Sequence, residues 1–294
     1  MTLARRSFLF GCAAPLAGAE RSGLAICSET FAGMKFADAC QAARRTGYAG
    51  LEIEPAGLGD DPAGLPAAER RSIRRIVEGE GLQCVGLHSF LKAPPGLHLT
   101  APGVNVRTRT WDYFARLIDL AADLTDRPVM VLGSGKQRQA VDGVTTQLAI
   151  QRLTEGLQHI APIAALRRVT ILMEPLAPQL CNVVNTLAEA MQIVRAVDSP
   201  AVQTIFDTHN TAAETRPLDV LIREYLPHIR HVHLNEMDGR HPGAADFDFP
   251  LVLSTLRRCG YTGWLSVEVF DFKPDGETVA RLANQYLRKI KESL

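Results

Sequence analysis

The six cysteines, Cys12, Cys27, Cys40, Cys84, Cys181 and Cys259, form no CxxC pair and show no zinc-ribbon spacing. Redox-dithiol and thiolate-metal motifs are therefore absent. A chain of 294 residues has a core large enough to need no disulfide staples, so these cysteines read as buried or half-buried thiols. Excess charge of either sign is missing as well. Lys+Arg and Asp+Glu both number 32, the formal net charge is zero and the pI is about 7.1. That balance gives no global electrostatic case for nucleic acid or an anionic membrane. No GxGxxG follows an early strand pattern, which removes the signature of a dinucleotide-binding open sheet. What is present is ordinary for a soluble globular enzyme and wrong for a disordered chain: 46% hydrophobic and 22% charged residues.

Residues 1–20 differ from the rest. Arg5-Arg6-Ser7-Phe8-Leu9 is a twin-arginine pair opening an apolar run over 8–19, and Ala17-Gly18-Ala19 offers a small-x-small cleavage pattern. The run is well short of the roughly 20 apolar residues a spanning helix needs, so no membrane span is expected. The segment resembles a twin-arginine export leader, and a periplasmic or otherwise exported protein is the expectation. A non-functional leader would leave the protein cytoplasmic. The fold is accordingly read over 21–294.

There, β-rich runs alternate with helical spacing. Strands are expected at 24–30, 50–54, 83–89, 129–133, 169–176, 202–208, 231–235 and 264–269. Helices are expected at 36–45, 67–80, 110–124, 145–166, 187–197, 251–259 and 278–290. Such alternation over one unbroken chain predicts a single (β/α)8 TIM barrel, with a doubly wound sheet as the alternative. The Pro- and Gly-rich stretch 91–107 would follow the third strand and lie over the mouth as a lid.

Catalytic groups of such a barrel sit at the C-terminal ends of its strands. Glu174 closes the fifth strand pattern, Asp207 the sixth and Glu268 the eighth, while His233 lies late in the seventh. Side chains alternate faces along a strand, so all four can point inward while their apolar neighbours face the helices. Three converging carboxylates would repel one another at a cost of several kcal/mol without a cation. Three carboxylates and an imidazole suit Mn²⁺ best, then Mg²⁺ or Co²⁺, with Zn²⁺ less favoured.

Four segments carry a resemblance to a known family. They are Met173-Glu174-Pro175-Leu176, Phe206-Asp207-Thr208, His231-Val232-His233-Leu234-Asn235-Glu236 and Ser266-Val267-Glu268-Val269-Phe270. A further match is Asp246-Phe247-Asp248-Phe249 ahead of Gly260-Tyr261-Thr262-Gly263-Trp264. From about Gly23 to Leu287 the chain resembles the xylose isomerase-like barrel superfamily, which includes ketose 3-epimerases, hydroxypyruvate isomerases, inosose dehydratases and endonuclease IV. The resemblance implies one divalent metal on Glu174, Asp207, His233 and Glu268, with Glu174 and Glu268 as the acid/base pair. It also implies isomerase or epimerase chemistry on a ketose, by proton transfer through a cis-enediolate. The alternative is a lyase or hydrolase that uses the same site on a keto-glycoside or inosose-like substrate. Cleavage of phosphodiesters needs further metal ligands that this chain lacks on the fourth strand and late in the sequence. A sugar-binding barrel without catalysis remains as a non-enzyme reading.

The chain departs from the epimerase pattern at three positions. A second glutamate expected six residues past Glu174 is Leu180; a histidine three past Asp207 is Asn210, with His209 beside it; an arginine six past His233 is displaced to Arg240. His209, Arg240, His88 and Lys136 are the substrate-binding candidates. His88 is equally readable as a core histidine, and Lys136, Gln137 and Arg138 as a solvated loop or an anion subsite. His231 shares the face of His233 one layer deeper and reads as its support. Glu54 and His98 are weaker candidates at the mouth and lid. The expected partner is a small sugar, with no nucleic acid; a homo-oligomer stays open.

Overall fold

A computed structural model describes residues 23–294. The segment 1–20, where an export leader is expected, lies outside the described residues.

Eight parallel strands close into one barrel in sequence order: β1 (Leu24–Cys27), β2 (Gly50–Ile53), β3 (Gln83–His88), β4 (Val129–Leu132), β5 (Thr170–Met173), β6 (Val202–Asp207), β7 (Ile229–Leu234) and β8 (Leu265–Val267). Closure is made by Ile26 of β1, which faces Leu51 of β2 on one side and Val267 of β8 on the other. Helices α1 (Phe36–Arg45), α2 (Ala67–Gly79), α3 (Val104–Leu124), α4 (Gly135–Arg138), α5 (Thr146–Leu166), α6 (Leu187–Val197), α7 (Leu218–Tyr225), α8 (Phe249–Arg258) and α9 (Gly276–Ser293) follow their strands. Four of them start where the sequence supplies a side-chain cap: Thr145, Thr186, Asp248 and Asp275 each accept a hydrogen bond from an N–H three residues on.

The main core lies between strands and helices, where Leu51, Leu87, Met130, Ile171, Phe206, Val232 and Val267 meet the helix faces. Inside the barrel the apolar filling is small. Val131, Leu172 and Ile205, with Val129 beside them, form a separate cluster under β4–β6. Face alternation puts Glu174 two residues beyond Leu172 and Asp207 two beyond Ile205, stacked above that plug at the mouth. The interior also holds polar side chains, with Glu52, His88, His231, His233 and Ser266 all buried.

Strand ends are shorter than the sequence suggests. β1 stops at Cys27 and turns into a single 3₁₀ turn, Ser28–Phe31, which brings Glu29 to the mouth. β5 ends at Met173, so Glu174 is the first residue beyond it. The register of β2 on β3 shifts after Leu51, at a bulge where Gly86 takes φ +153. A Cβ on Gly86 would stand 1.9 Å from the carbonyl oxygen of Val129, so only glycine lets β3 lie against β4 there.

The stretch 91–107 is not an open flap. Its end belongs to α3, which begins at Val104, and Leu91, Leu97 and Leu99 are buried. Leu91 donates its N–H to Ser134 Oγ at 3.1 Å and Leu99 donates to Gln137 O at 2.7 Å, which ties the segment to the β4–α5 connection. Cys27, Cys40, Cys84 and Cys181 are buried free thiols, and Cys259 is half-buried. Among the described residues no helix is long and apolar enough to cross a membrane.

Candidate active site

Glu174, Asp207, His233 and Glu268 converge at the C-terminal end of the barrel. One donor atom from each lies within 4.8 Å of the others, and all four residues are buried. Each is held differently. The Asp207 carboxylate accepts the His209 backbone N–H at 2.8 Å on Oδ1 and the Asn210 side-chain amide on Oδ2. Asn210 thus orients Asp207 and is not left for substrate; its Oδ1 accepts the Ala177 N–H at 2.8 Å.

Glu174 Oε1 is buried with no hydrogen-bond partner, 3.6 Å from His233 Nδ1. A Cβ on Gly133 would meet Glu174 Oε2 at 1.8 Å, so the glycine at the end of β4 makes the space this carboxylate occupies. Behind it, the fully buried Arg138 donates Nη2–H to the backbone carbonyl of Glu174 at 2.6 Å. Arg138 therefore fixes the backbone under a site residue; with Lys136 exposed on α4, no joint anion subsite forms there.

His233 divides its two nitrogens between two tasks. Nδ1 points to Glu268 Oε2 at 3.1 Å and into the cluster. Nε2 lies 3.1 and 3.2 Å from the two oxygens of Glu52. Glu52 is fully buried on β2 and also takes His231 Nε2 at 2.8 Å. His231 thus supports His233 through a shared carboxylate, with the two rings edge to face at 5.0 Å. Glu52 is the site residue that sequence reasoning missed. The signal was there: in Gly50-Leu51-Glu52-Ile53-Glu54 a glutamate interrupts an otherwise apolar buried strand, on the same face as Glu54.

His88 bridges two carboxylates, with Nδ1 3.2 Å from Glu268 Oε1 and Nε2 2.9 Å from Glu29 Oε2. Its buried place makes it a holder of Glu268. Arg240 is not brought to the cluster: it is exposed and its Nε donates to Asp238 at 2.7 Å within the same turn. The extra residue between His233 and Arg240 lets the chain reverse at Gly239, where φ is +82, and this pairs the arginine with its neighbour. His209 stands beside the cluster, with Nδ1 2.9 Å from Glu236 O and its ring 4.9 Å from Phe270. Glu54 pairs with Lys92, and His98 Nδ1 meets Thr100 within its loop while its buried Nε2 has no hydrogen-bond partner.

The electrostatics follow from this packing. Burial, then the charges of Glu174 and Glu268, push the Asp207 carboxyl well above its ordinary value. Burial would also raise Glu268, but His233 and His88 pull it below the usual carboxylate range. Glu52 is likewise held well below that range, because His231 and His233 outweigh its desolvation. Burial favours the neutral forms of His233 and His88, yet the carboxylates around them raise both well above the ordinary imidazole value. Four convergent O/N donors, one with an unpartnered buried oxygen, and a carboxyl driven towards its neutral form are what a missing positive charge would relieve. The residues fit a divalent ion. A cleft lined by Gly23, Leu24, Gly47, Ala49, Arg288, Lys291 and Glu292 opens at the other end of the barrel, with Glu292 as its one carboxylate.

The family model described as "Xylose isomerase-like TIM barrel" matches residues 40–290. The chain belongs to that family. A human protein named "Putative hydroxypyruvate isomerase" is 27% identical over 164 residues, covering 53% of this chain and 57% of that protein. The 3-dehydro-D-guloside 4-epimerase of Escherichia coli is 26% identical over 116 residues, 40% of this chain and 44% of the enzyme. The chain thus spans about half the length of these curated relatives. Among solved structures, D-psicose 3-epimerase from Clostridium cellulolyticum superposes with a TM-score of 0.79 at 17% identity, covering 92% of this chain and 98% of that one. That last likeness is one of fold.

Proposed function

We propose that the protein is a divalent-metal-dependent isomerase or epimerase of a keto-sugar, with Glu174, Asp207, His233 and Glu268 as metal ligands. The observation that carries the reading is the convergence of these four donors at the barrel mouth with Glu174 Oε1 left free. Mn²⁺ suits the all-O/N donor set best. A divalent ion bound there supplies Lewis acidity that acidifies the C–H next to a substrate carbonyl.

The two glutamates are the proton-transferring pair, and they are not equivalent. Glu174 is the less engaged of the two, its Oε1 without a hydrogen-bond partner and 3.6 Å from His233 Nδ1, and Arg138 holds the backbone beneath it. Both oxygens of Glu268 are engaged, one by His88 and one by His233, which keeps it ionised and fixed in direction. Epimerisation needs one carboxylate ionised to remove the proton and the other protonated to return one on the opposite face; the ionised Glu268 suits removal, and Glu174 would then carry the proton that is returned. The inequality also favours a second reading, elimination of a group beta to the carbonyl with Glu174 as the single base. The relatives support a sugar substrate. The Arg5-Arg6 pair and the apolar run after it support a twin-arginine leader and export, and Lys-Lys in place of Arg5-Arg6 should then retain the protein in the cytoplasm.

Turnover in D2O tests the proposal. An epimerase places solvent deuterium on the carbon beside the carbonyl, and Glu174→Gln or Glu268→Gln lowers the rate on the order of 10²–10⁴-fold. Release of a leaving group that depends on Glu174 far more than on Glu268 selects the lyase. Neither exchange nor elimination with any keto-sugar, in metal-loaded protein, overturns both.

A further inference from the structure

Both carboxylate oxygens of Glu268 meet a histidine, and each histidine is backed by a second carboxylate. On one side Oε2 lies 3.1 Å from His233 Nδ1, whose Nε2 rests on Glu52. On the other, Oε1 lies 3.2 Å from His88 Nδ1, whose Nε2 lies 2.9 Å from Glu29 Oε2. The two rings stand edge to face at 5.9 Å. His233 is one of the four convergent donors, and neither His88 nor Glu29 is among those four. The place of Glu29 is built by its surroundings. It lies in the 3₁₀ turn Ser28–Phe31 directly after β1. Ser28 Oγ accepts the Glu54 N–H at 2.9 Å, which fastens the turn to the end of β2. From the other side α9 begins at Gly276, where a Cβ would stand 1.7 Å from Thr30 O, so glycine lets that helix seat against the turn. His88 is buried at the end of β3, where an imidazole nitrogen without a partner would be costly.

We propose that Glu29 is a positioning residue that acts through His88: the pair aims Glu268 Oε1 and governs the rate of proton transfer at that carboxylate, while the Glu52–His233 pair governs metal affinity. The inference rests on the reading of Glu268 as a proton-transferring group. The torsion that turns an imidazole ring is intrinsically broad, so a ring held only by packing has no sharp direction. A carboxylate fixed on Nε2 removes that freedom and thereby sets where Nδ1 stands. The gain is in rate, because a reacting group misplaced by about 1 Å loses on the order of 100-fold.

Glu29→Ala and Glu29→Gln, with Glu52→Gln beside them, test this in Mn²⁺-saturated protein. In Glu29→Ala the saturated rate of solvent deuterium exchange into a keto-sugar should fall about 10–100-fold, with KM and Mn²⁺ affinity within about threefold of wild type. Glu29→Gln keeps an acceptor oxygen for the ring and should recover the rate to within about fivefold of wild type. Glu52→Gln should weaken Mn²⁺ binding where Glu29→Ala does not. A crystal structure of Glu29→Ala should show the His88 ring turned, with Nδ1 beyond about 3.5 Å from Glu268 Oε1. A wild-type rate in Glu29→Ala, a loss of Mn²⁺ affinity as large as that of Glu52→Gln, equal losses of rate in Glu29→Ala and Glu29→Gln, or an unmoved ring overturns the proposal. Should Glu29→Ala fail to fold, Glu29→Asp keeps the charge, falls short of His88 and carries the same expectations. If the wild type exchanges no keto-sugar, the catalytic reading fails, and the position of the ring still decides whether Glu29 aims Glu268.

Discussion

Replacing Glu52 separates the support of the site from the site itself. Its carboxylate touches no other member of the four-residue cluster than His233, yet it accepts from both His231 Nε2 at 2.8 Å and His233 Nε2 at 3.1 Å in a fully buried setting. Glu52→Ala strips two buried imidazole donors of their acceptor, and each unsatisfied donor costs about 1–3 kcal/mol. A loss of about 3 kcal/mol corresponds to a melting point lower by roughly 6–12 °C for a chain of this size. Glu52→Gln keeps one acceptor oxygen and the shape but removes the negative charge, so the fold should lose less. The charge and geometry are also what hold an Nε2–H on the side away from the cluster, so that Nδ1 is the nitrogen a metal ion there would take. Supports of this kind change metal affinity by about 10–100-fold. Competition of Mn²⁺ or Co²⁺ between the protein and a fluorescent chelator measures that change directly, beside a urea denaturation curve for stability. Glu52→Gln should bind metal about 10–100-fold more weakly while remaining folded. An affinity within about twofold of wild type, alongside severe loss in His233→Ala, would refute the argument that Glu52 orients His233.

Two further outcomes follow from the same geometry. Burial and the neighbouring glutamates raise the folded-state value of Asp207 well above its ordinary 3.8, so folding favours its protonated form. That contribution is complete below about pH 3.8 and is lost as pH rises through the raised value. Metal-free Asp207→Asn should therefore melt above wild type at pH 8, with the gap closing towards pH 4, and added Mn²⁺ should reverse the order; a gap independent of pH refutes this. In Gly133→Ala the new Cβ would stand 1.8 Å from Glu174 Oε2, so the carboxylate must move and metal affinity should fall on the order of tenfold or more, whereas unchanged affinity in a metal titration would show that the space at Gly133 does not place Glu174.

The barrel was legible because short runs rich in β-branched and other apolar residues alternate with helical spacing, and the cluster because its four members lie at or near strand ends whose alternate residues are apolar. Leu172 and Glu174, or Ile205 and Asp207, are related by the two-residue period alone. What the period does not contain is the partner across the barrel. Glu52 and His233 are 181 residues apart and meet only through closure of β1 on β8. Where the Arg240 side chain ends was not legible, because a long side chain in a turn follows local partners, and its i−2 neighbour Asp238 holds it. Lys136 and Arg138 looked alike in sequence, yet the short helix α4 turns one outward and buries the other against Glu174. The bulge at Gly86 and the early start of α3 are set by packing on β4 and on the following loop, which no local propensity encodes.

The central claim is a single divalent site built from Glu174, Asp207, His233 and Glu268. Elemental analysis of metal-reconstituted, gel-filtered protein tests it most directly, with Asp207→Asn and His233→Ala run in parallel. The account predicts one Mn²⁺ or equivalent ion per chain in the wild type and a sharp loss in both variants. No bound metal, two or three ions per chain, or full occupancy retained in both variants would contradict it.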